Sequence, residues 1–121
     1  MEKPSKKRFA LLACGLALAL PVCAADEIEP GLDVMKDLGR LNGQALACEQ
    51  KDTAAWIRIL MLTHAPKTRS HGEAYEAGTQ EAFAAQGKGA PCPDSAESAT
   101  RIEKITQRLR EVFPAAPPAA K

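Results

Sequence analysis

The stretch GLDVMKDLGRLNGQALACEQ, residues 31–50, predicts a long amphipathic helix and decides the fold. Apolar residues spaced alternately by four and three form one continuous stripe on it: Val34, Leu38, Leu41, Ala45 and Cys48. Three small residues spaced by four lie beside the stripe: Gly39, Gly43 and Ala47. Each glycine costs a helix about 1 kcal/mol relative to alanine. The glycines therefore indicate that a second helix backbone packs closely against this one.

The rest of the chain divides into three further helical segments, and no run of alternating β-branched residues predicts a strand. We expect the first helix to run from about Gly31 to Gln50. The other predicted bounds are Asp52 or Thr53 to His64, Thr68 or Ser70 to Gln86, and Asp94 or Ser95 to Phe113. Residues that cap helices begin these segments, and proline or glycine follows them. The sequence therefore predicts an all-α fold, a small four-helix bundle.

The second segment is apolar on nearly every side, which is typical of a helix at the centre of a bundle. Its large apolar residues are Trp56, Ile57, Ile59, Leu60, Met61 and Leu62. We expect Trp56, Ile59 and Leu60 to form the centre of the core, with Trp56 buried instead of serving as a stacking platform. If this helix lay on the outside, its apolar residues would form a surface for binding a partner.

Residues 1–24 have the pattern of a secretory signal peptide. A basic start precedes an apolar run over residues 9–22, and small residues allow cleavage after Ala24 or Ala25. The run is shorter than the ~20 residues of a membrane-spanning helix. We therefore expect a periplasmic protein with no stable membrane insertion after cleavage. The alternative is a lipoprotein.

Four cysteines divide between the leader and the remaining chain. Cys14 and Cys23 are the residues that a lipoprotein would acylate, and cleavage leaves only Cys48 and Cys92. An even number of cysteines in an exported chain predicts a disulfide, here one that ties the end of the first helix to the entry of the last. Closing this loop should stabilise the fold by roughly 4 kcal/mol. A metal-thiolate pair and a redox pair are the alternatives, although the sequence contains no CxxC motif.

Charge and composition exclude two broad classes of protein. The leader removes four of the 16 basic residues and one of the 15 acidic residues, which leaves 12 basic and 14 acidic residues and a net charge of −2. That balance gives no basic surface for nucleic acid, and 45% hydrophobic residues are too many for a disordered chain. We expect one helical domain over residues 25–113 and a disordered tail rich in proline and alanine over residues 114–121.

The densest group of polar side chains lies around the turn between the second and third helices. It supplies the candidate ligand or partner site: His64, Lys67, Arg69, His71 and Tyr75. The two imidazoles could face one seam, although a metal ion needs three or four ligands. Lys67 and Arg69 could hold an anion at the start of the third helix. The structural alternative is a capping role for His64 and a hydrogen bond from His71 to Tyr75 or a loop carbonyl.

No set of residues predicts catalysis. No serine lies in a GxSxG pattern, both cysteines are expected to be oxidised, and the acidic residues fall mostly on outer faces, although a carboxylate pair stays open. We therefore expect a protein that is not an enzyme and that holds no metal or cofactor. Asn42 falls within the apolar stripe of the first helix, where we expect its amide to bond a neighbouring helix instead of a ligand.

Two segments resemble small exported proteins of unassigned function from Gram-negative bacteria, which are all-helical and carry one cysteine pair. The segments are LGRLNGQALACEQ and MLTHAPKTRSHGEAYEAGTQEAF, and the resemblance covers most of residues 32–93. It implies a periplasmic location and brings no activity, cofactor or catalytic residue.

These observations together favour a non-enzymatic periplasmic interaction protein whose partner is an unknown periplasmic protein. Adaptors, chaperone-like proteins and inhibitor or immunity-type modules belong to this class. The alternative is a small-ligand or metal carrier that uses the seam around His64, His71 and Tyr75.

Overall fold

The computed structural model describes residues 29–114, which form four α-helices and no strand. The helices are α1 (Leu32–Ala47), α2 (Lys51–His64), α3 (Arg69–Gly87) and α4 (Ser95–Val112). The predicted all-α bundle is therefore confirmed. The predicted signal peptide over residues 1–24, and the predicted tail over residues 114–121 apart from residue 114, lie outside the described residues.

Side-chain caps begin α3 and α4 where the sequence predicts them. The hydroxyl of Thr68 accepts a hydrogen bond from the backbone N–H of His71 (3.3 Å), and the Asp94 carboxylate accepts one from the N–H of Glu97 (2.8 Å). These bonds satisfy N–H groups that have no partner within the helix. α3 ends at Gly87, one residue later than predicted. A glycine with left-handed backbone conformation follows the helix at Gly89 (φ 96°).

α2 begins at Lys51, before either predicted cap residue, and no side-chain hydrogen bond caps it. The side chain of Gln50, the residue before α2, bonds the start of α4 instead of capping α2. Its amide nitrogen donates to the carbonyl of Pro93 (2.7 Å), and its amide oxygen accepts from the Ser98 hydroxyl (3.1 Å). Gln50 therefore fixes the turn between α1 and α2 against the start of α4.

α1, and not α2 as predicted, is the central helix. It contacts each of the other three, and α2 also contacts α4, whereas the backbone of α3 approaches only that of α1. The buried apolar core accordingly draws mostly on α1, α2 and α4: Val34, Met35, Leu38, Ala45, Ile57, Leu60, Ala65, Ile105 and Leu109. α3 and the pair α2–α4 thus pack against different parts of the α1 surface.

Glycines bring α1 and α3 together more closely than side chains would allow. At three of them, an added Cβ atom would lie 2.0 Å from a backbone carbonyl oxygen of the other helix: Gly39 from Tyr75, Gly43 from Thr79 and Gly78 from Lys36. This confirms the close backbone approach predicted for the glycines of α1, and it identifies α3 as the helix that approaches.

The direction of each helix follows from polar contacts at its ends. α3 runs parallel to α1, because His71 at its start bonds the carbonyl of Pro30 before α1, and Gln86 at its end bonds Gln44 near the end of α1. α4 runs antiparallel to α1, because Arg101 in its first half bonds Gln44 near the end of α1 and Arg108 in its second half bonds Asp37 in the first half of α1. The short turn of residues 48–50 reverses the chain between α1 and α2.

The disulfide between Cys48 and Cys92 is confirmed. It joins the end of α1 to the loop before α4, with the two Cα atoms 5.8 Å apart. The side-chain amide of Gln86, at the end of α3, lies 3.3 Å from the sulfur of Cys48 and 3.5 Å from that of Cys92. It also donates to the carbonyl of Ala90 (2.9 Å). The end of α3 is therefore held against the disulfide loop.

The prediction that Trp56 and Ile59 form the centre of the core is wrong. Trp56 is 49% exposed and Ile59 is 50% exposed, whereas Leu60 is only 4% exposed, as predicted. The reason lies in the position of α3, which packs on α1 and leaves the outer side of α2 uncovered. α2 buries only the side that carries Ile57 and Leu60.

Leu60→Ala should lower the free energy of unfolding by about 2 to 5 kcal/mol, because it removes buried methyl groups and leaves a cavity. Trp56→Ala should cost the isolated chain less, since half of the indole is already in water. Urea denaturation of both variants, with Gln80→Ala at an exposed position of α3 as control, measures the difference. Equal losses for Leu60→Ala and Trp56→Ala would contradict this arrangement of α2.

Candidate functional site

His71 is the most buried of the five predicted site residues, with 4% of its surface exposed. Its Nε2 lies 2.9 Å from the carbonyl oxygen of Pro30, and its Nδ1 lies 2.5 Å from the hydroxyl oxygen of Thr68. Because a carbonyl oxygen only accepts, Nε2 carries a hydrogen and donates it to Pro30, whereas the Thr68 hydroxyl lies within hydrogen-bond distance of both Nδ1 and the carboxylate of Glu29 (3.5 Å). The carboxylate of Glu29 lies 3.4 Å from Nδ1. His71 therefore bonds a loop carbonyl and not Tyr75.

The imidazole of His71 connects three elements of the fold. Its ring packs edge-on against Phe113 at the end of α4, with centroids 5.4 Å apart. Pro30 precedes α1, and Thr68 caps α3. These contacts fit a structural role, in which one buried side chain joins the ends of α1, α3 and α4.

The other four predicted residues have different neighbours. The ammonium of Lys67 donates to the carbonyl of Leu62 (3.3 Å), and the exposed guanidinium of Arg69 pairs with Glu73 (2.7 Å). His64 ends α2, and its Nδ1 is buried without a hydrogen-bond partner among the described residues. Tyr75 packs against the core, where burial raises its pKa although the charge of Arg58 opposes the rise.

Neither of two surface grooves in the described part of the chain is lined by any of these five side chains. A groove of about 240 Å³ lies between α1 and α3 and is lined in part by Arg40 and Glu81. A groove of about 990 Å³ lies between α2 and α4. Because the larger groove lies beside the uncovered side of α2, it is the best candidate for a binding site.

The α2–α4 groove has apolar and polar walls. Trp56 lines it from α2, and Ala99 and Ile102 line it from α4. It follows α4 from Ser95 to Arg110, a distance of about 22 Å at the rise of an α-helix. A segment of several helical turns could lie along it.

Three large apolar side chains are exposed on the outer side of α2, and one of them, Trp56, lines the groove. They are Trp56 (49% exposed), Ile59 (50%) and Leu62 (64%), and we call them the α2 surface. Their spacing of three residues places them on one side of the helix. The sequence indicates this surface only as the alternative to a buried second helix, and the signal that could have favoured it is the pair of glycines in α1, which commits α3 to another part of that helix.

Charged residues line the groove without forming ion pairs among the described residues: Glu49, Lys51, Asp52, Glu103 and Arg110.

Outside the groove, Arg108 of α4 pairs with Asp37 of α1 (2.7 Å). Burial alone would raise the pKa of Asp37, but hydrogen bonds and the charges of Arg108 and Arg40 outweigh it and lower that pKa below its ordinary value.

The amide of Asn42 donates to the hydroxyl of Thr79 on α3 (3.2 Å), which confirms the predicted bond to a neighbouring helix. The Thr79 hydroxyl in turn donates to the carbonyl of Tyr75 (3.0 Å). This chain of bonds fixes the register of α1 against α3.

Within residues 29–114, no group of three or more histidine, cysteine or acidic side chains is placed to hold a metal ion. None of the helices in that range is both long and apolar enough to cross a membrane.

The double variant His64→Gln/His71→Gln should keep the fold and lose about 1 to 2 kcal/mol of stability, because buried hydrogen bonds of His71 are weakened. Its affinity for zinc, measured by titration calorimetry against the unaltered protein, should not change. A fall in zinc affinity of about tenfold or more would favour a metal carrier instead.

No protein-family model, curated protein or solved structure matches this chain.

Proposed function

We propose that the protein is an exported, non-enzymatic interaction protein that binds another polypeptide in the periplasm through the α2 surface and the adjoining groove. The observation that carries the proposal is the exposure of Trp56, Ile59 and Leu62 together on one side of one helix. Contiguous exposed apolar side chains in a small protein mark an interaction site, and tryptophan is among the residues that contribute most to binding.

The rest of the molecule supports this function. The disulfide fits an oxidising compartment outside the cytoplasm, and it ties α1 to the loop before α4. Glycine packing holds α3 against α1 without using α2. A rigid frame of this kind presents α2 in one conformation, which reduces the entropy lost when a partner binds.

The alternative function is a small-ligand or metal carrier around His64, His71 and Tyr75. One observation favours it, the buried Nδ1 of His64 without a partner among the described residues. Both ring nitrogens of His71 already have partners, and the α2–α4 groove is lined by other residues. The interaction protein is therefore the better supported proposal.

Cross-linking in the exporting cell tests the proposed function. A photoreactive amino acid is placed at Ile59 or Leu62 on the α2 surface, and at Gln80 on α3 as the matched exposed control. We expect adducts with a polypeptide from the α2 positions and not from the control position. Equal labelling from all three positions, or adducts from none, would contradict the proposal.

Cell fractionation, together with the intact mass of the protein from the same cells, tests the proposed periplasmic location. We expect a periplasmic protein that lacks the leader and is about 2 Da lighter than its reduced form, the loss expected for one disulfide. Acylation at Cys14 or Cys23, or a cytoplasmic full-length chain, would contradict this location.

A further inference from the structure

We propose that the disulfide between Cys48 and Cys92 is a site of thiol–disulfide exchange with an exported dithiol oxidoreductase. The thiolate of that protein attacks the sulfur of Cys92, and the sulfur of Cys48 leaves. The exchange gives a chemical role to a bond that also joins α1 to the loop before α4. It does not use the α2 surface, and the inference therefore stands or fails independently of the proposed function.

The two cysteines of the disulfide differ in their access to an external thiolate. Cys92 is exposed, and so are all the residues from 87 to 91 before it. Cys48, at the end of α1, is half-buried. Exchange begins when a thiolate reaches one of the two sulfurs, and its rate depends on access to that sulfur. An external thiolate therefore attacks Cys92.

The sulfur of Cys48 lies beside a hydrogen-bond donor. The side-chain Nε2 of Gln86 is 3.3 Å from the sulfur of Cys48 and 3.5 Å from that of Cys92. A hydrogen bond to a charged form favours that form, and a thiolate that is stabilised in this way leaves faster. When the bond breaks with its electron pair on Cys48, the amide that stabilises the new thiolate is already in place.

A chain of hydrogen bonds across three helices fixes the orientation of the Gln86 amide. Its oxygen accepts from the amide nitrogen of Gln44 on α1 (3.1 Å), and the amide oxygen of Gln44 accepts from the guanidinium of Arg101 on α4 (2.8 Å). Because the oxygen of Gln86 is held by Gln44, its nitrogen faces the sulfurs and the carbonyl of Ala90. Hydrogen bonds in such a chain also polarise one another, which strengthens the last donor.

The exchange has two steps and transfers two electrons. The first thiolate of the oxidoreductase bonds to the sulfur of Cys92, which gives a mixed disulfide and a thiolate at Cys48. The second thiolate of the oxidoreductase then attacks its own partner sulfur and releases Cys92 as a thiolate. The oxidoreductase ends as a disulfide, and the protons of its two thiols pass to the two cysteines. The reverse sequence forms the bond and passes through the same mixed disulfide.

A trapping experiment identifies the sulfur that is attacked. The probe is a dithiol protein of the thioredoxin class whose second active-site cysteine is replaced by serine, so that it cannot complete the second step. The purified oxidised protein, in the form that accumulates in the exporting cell, is mixed with this probe, and free thiols are blocked with iodoacetamide. We expect peptide mass spectrometry to find the link at Cys92 about tenfold more often than at Cys48. Links mainly through Cys48, equal links to both cysteines, or no mixed disulfide would overturn the proposal.

The variant Gln86→Ala tests the positioning role of the amide, with the rate of disulfide reduction by dithiothreitol as the measurement. We expect reduction to slow several-fold, because the leaving thiolate of Cys48 loses its donor. A purely structural Gln86 predicts the opposite result, since releasing the carbonyl of Ala90 would loosen the loop and speed reduction.

Gln80→Ala, at an exposed position of the same helix, is the matched control and should leave the reduction rate unchanged. Circular dichroism of the oxidised variants checks that each is folded. Reduction of the Gln86→Ala variant at the unaltered rate, or faster, would overturn the proposal.

Discussion

Gly43→Ala should destabilise the protein by about 3 kcal/mol or more, a large part of the 5 to 15 kcal/mol expected for a folded domain. The added Cβ atom would lie 2.0 Å from the carbonyl oxygen of Thr79 and 2.9 Å from the backbone nitrogen of Phe83. Backbone atoms of a packed helix cannot move aside as the end of a side chain can. The substitution must therefore push α1 and α3 apart.

Gly72→Ala is the matched control, because Gly72 is also inside a helix and, among the described residues, no atom from another part of the fold lies within 4 Å of its added Cβ. It should stabilise the protein by about 0.5 to 1 kcal/mol, since alanine favours helix more than glycine does. Urea denaturation measures both changes. A neutral Gly43→Ala variant would mean that α1 and α3 do not pack at this distance.

Replacing Cys48 and Cys92 together by alanine should lower the free energy of unfolding by about 4 kcal/mol. The bond closes a loop with a sequence separation of 44 residues, so its loss frees the unfolded chain to adopt many more conformations. It also releases the loop that Gln86 holds at the end of α3.

Denaturation with and without reductant provides the control for this disulfide prediction. Reductant should destabilise the unaltered protein by about the same amount and should leave the double-alanine variant unchanged. A double-alanine variant as stable as the oxidised protein would contradict a structural role for the bond.

Local chemistry made several features predictable from sequence. Thr68 and Asp94 cap their helices because the cap depends on a side chain and an N–H only three residues away. The disulfide followed from counting the cysteines beyond the predicted leader. The close approach at Gly39 and Gly43 followed from the cost of glycine in a helix, although the identity of the approaching helix did not.

The exposure of α2 could not be predicted in the same way. Apolar residues on all sides of a helix show that it can be buried, but they do not show which neighbour covers which side. That depended on α3, which Gly78 and the glycines of α1 place away from α2. The early start of α2 likewise depends on Gln50, whose partner Ser98 is 48 residues away in sequence.

The five candidate residues around the turn between α2 and α3 have separate partners for a related reason. Residues 63–76 are dense in polar side chains, but the partners of His71 include Pro30, 41 residues before it. A cluster in sequence therefore became a set of separate structural contacts. The groove was invisible in sequence because Trp56 and Arg110 come from different helices.

The emission spectrum of Trp56 in dilute protein tests the central claim most directly, since it is the only tryptophan in the chain. The α2 surface is exposed in the single chain, so the protein should show the long-wavelength emission of an indole in water. Iodide should quench this emission, because about half of the indole is in contact with solvent. Buried-type emission, or emission that iodide does not quench, would contradict the account.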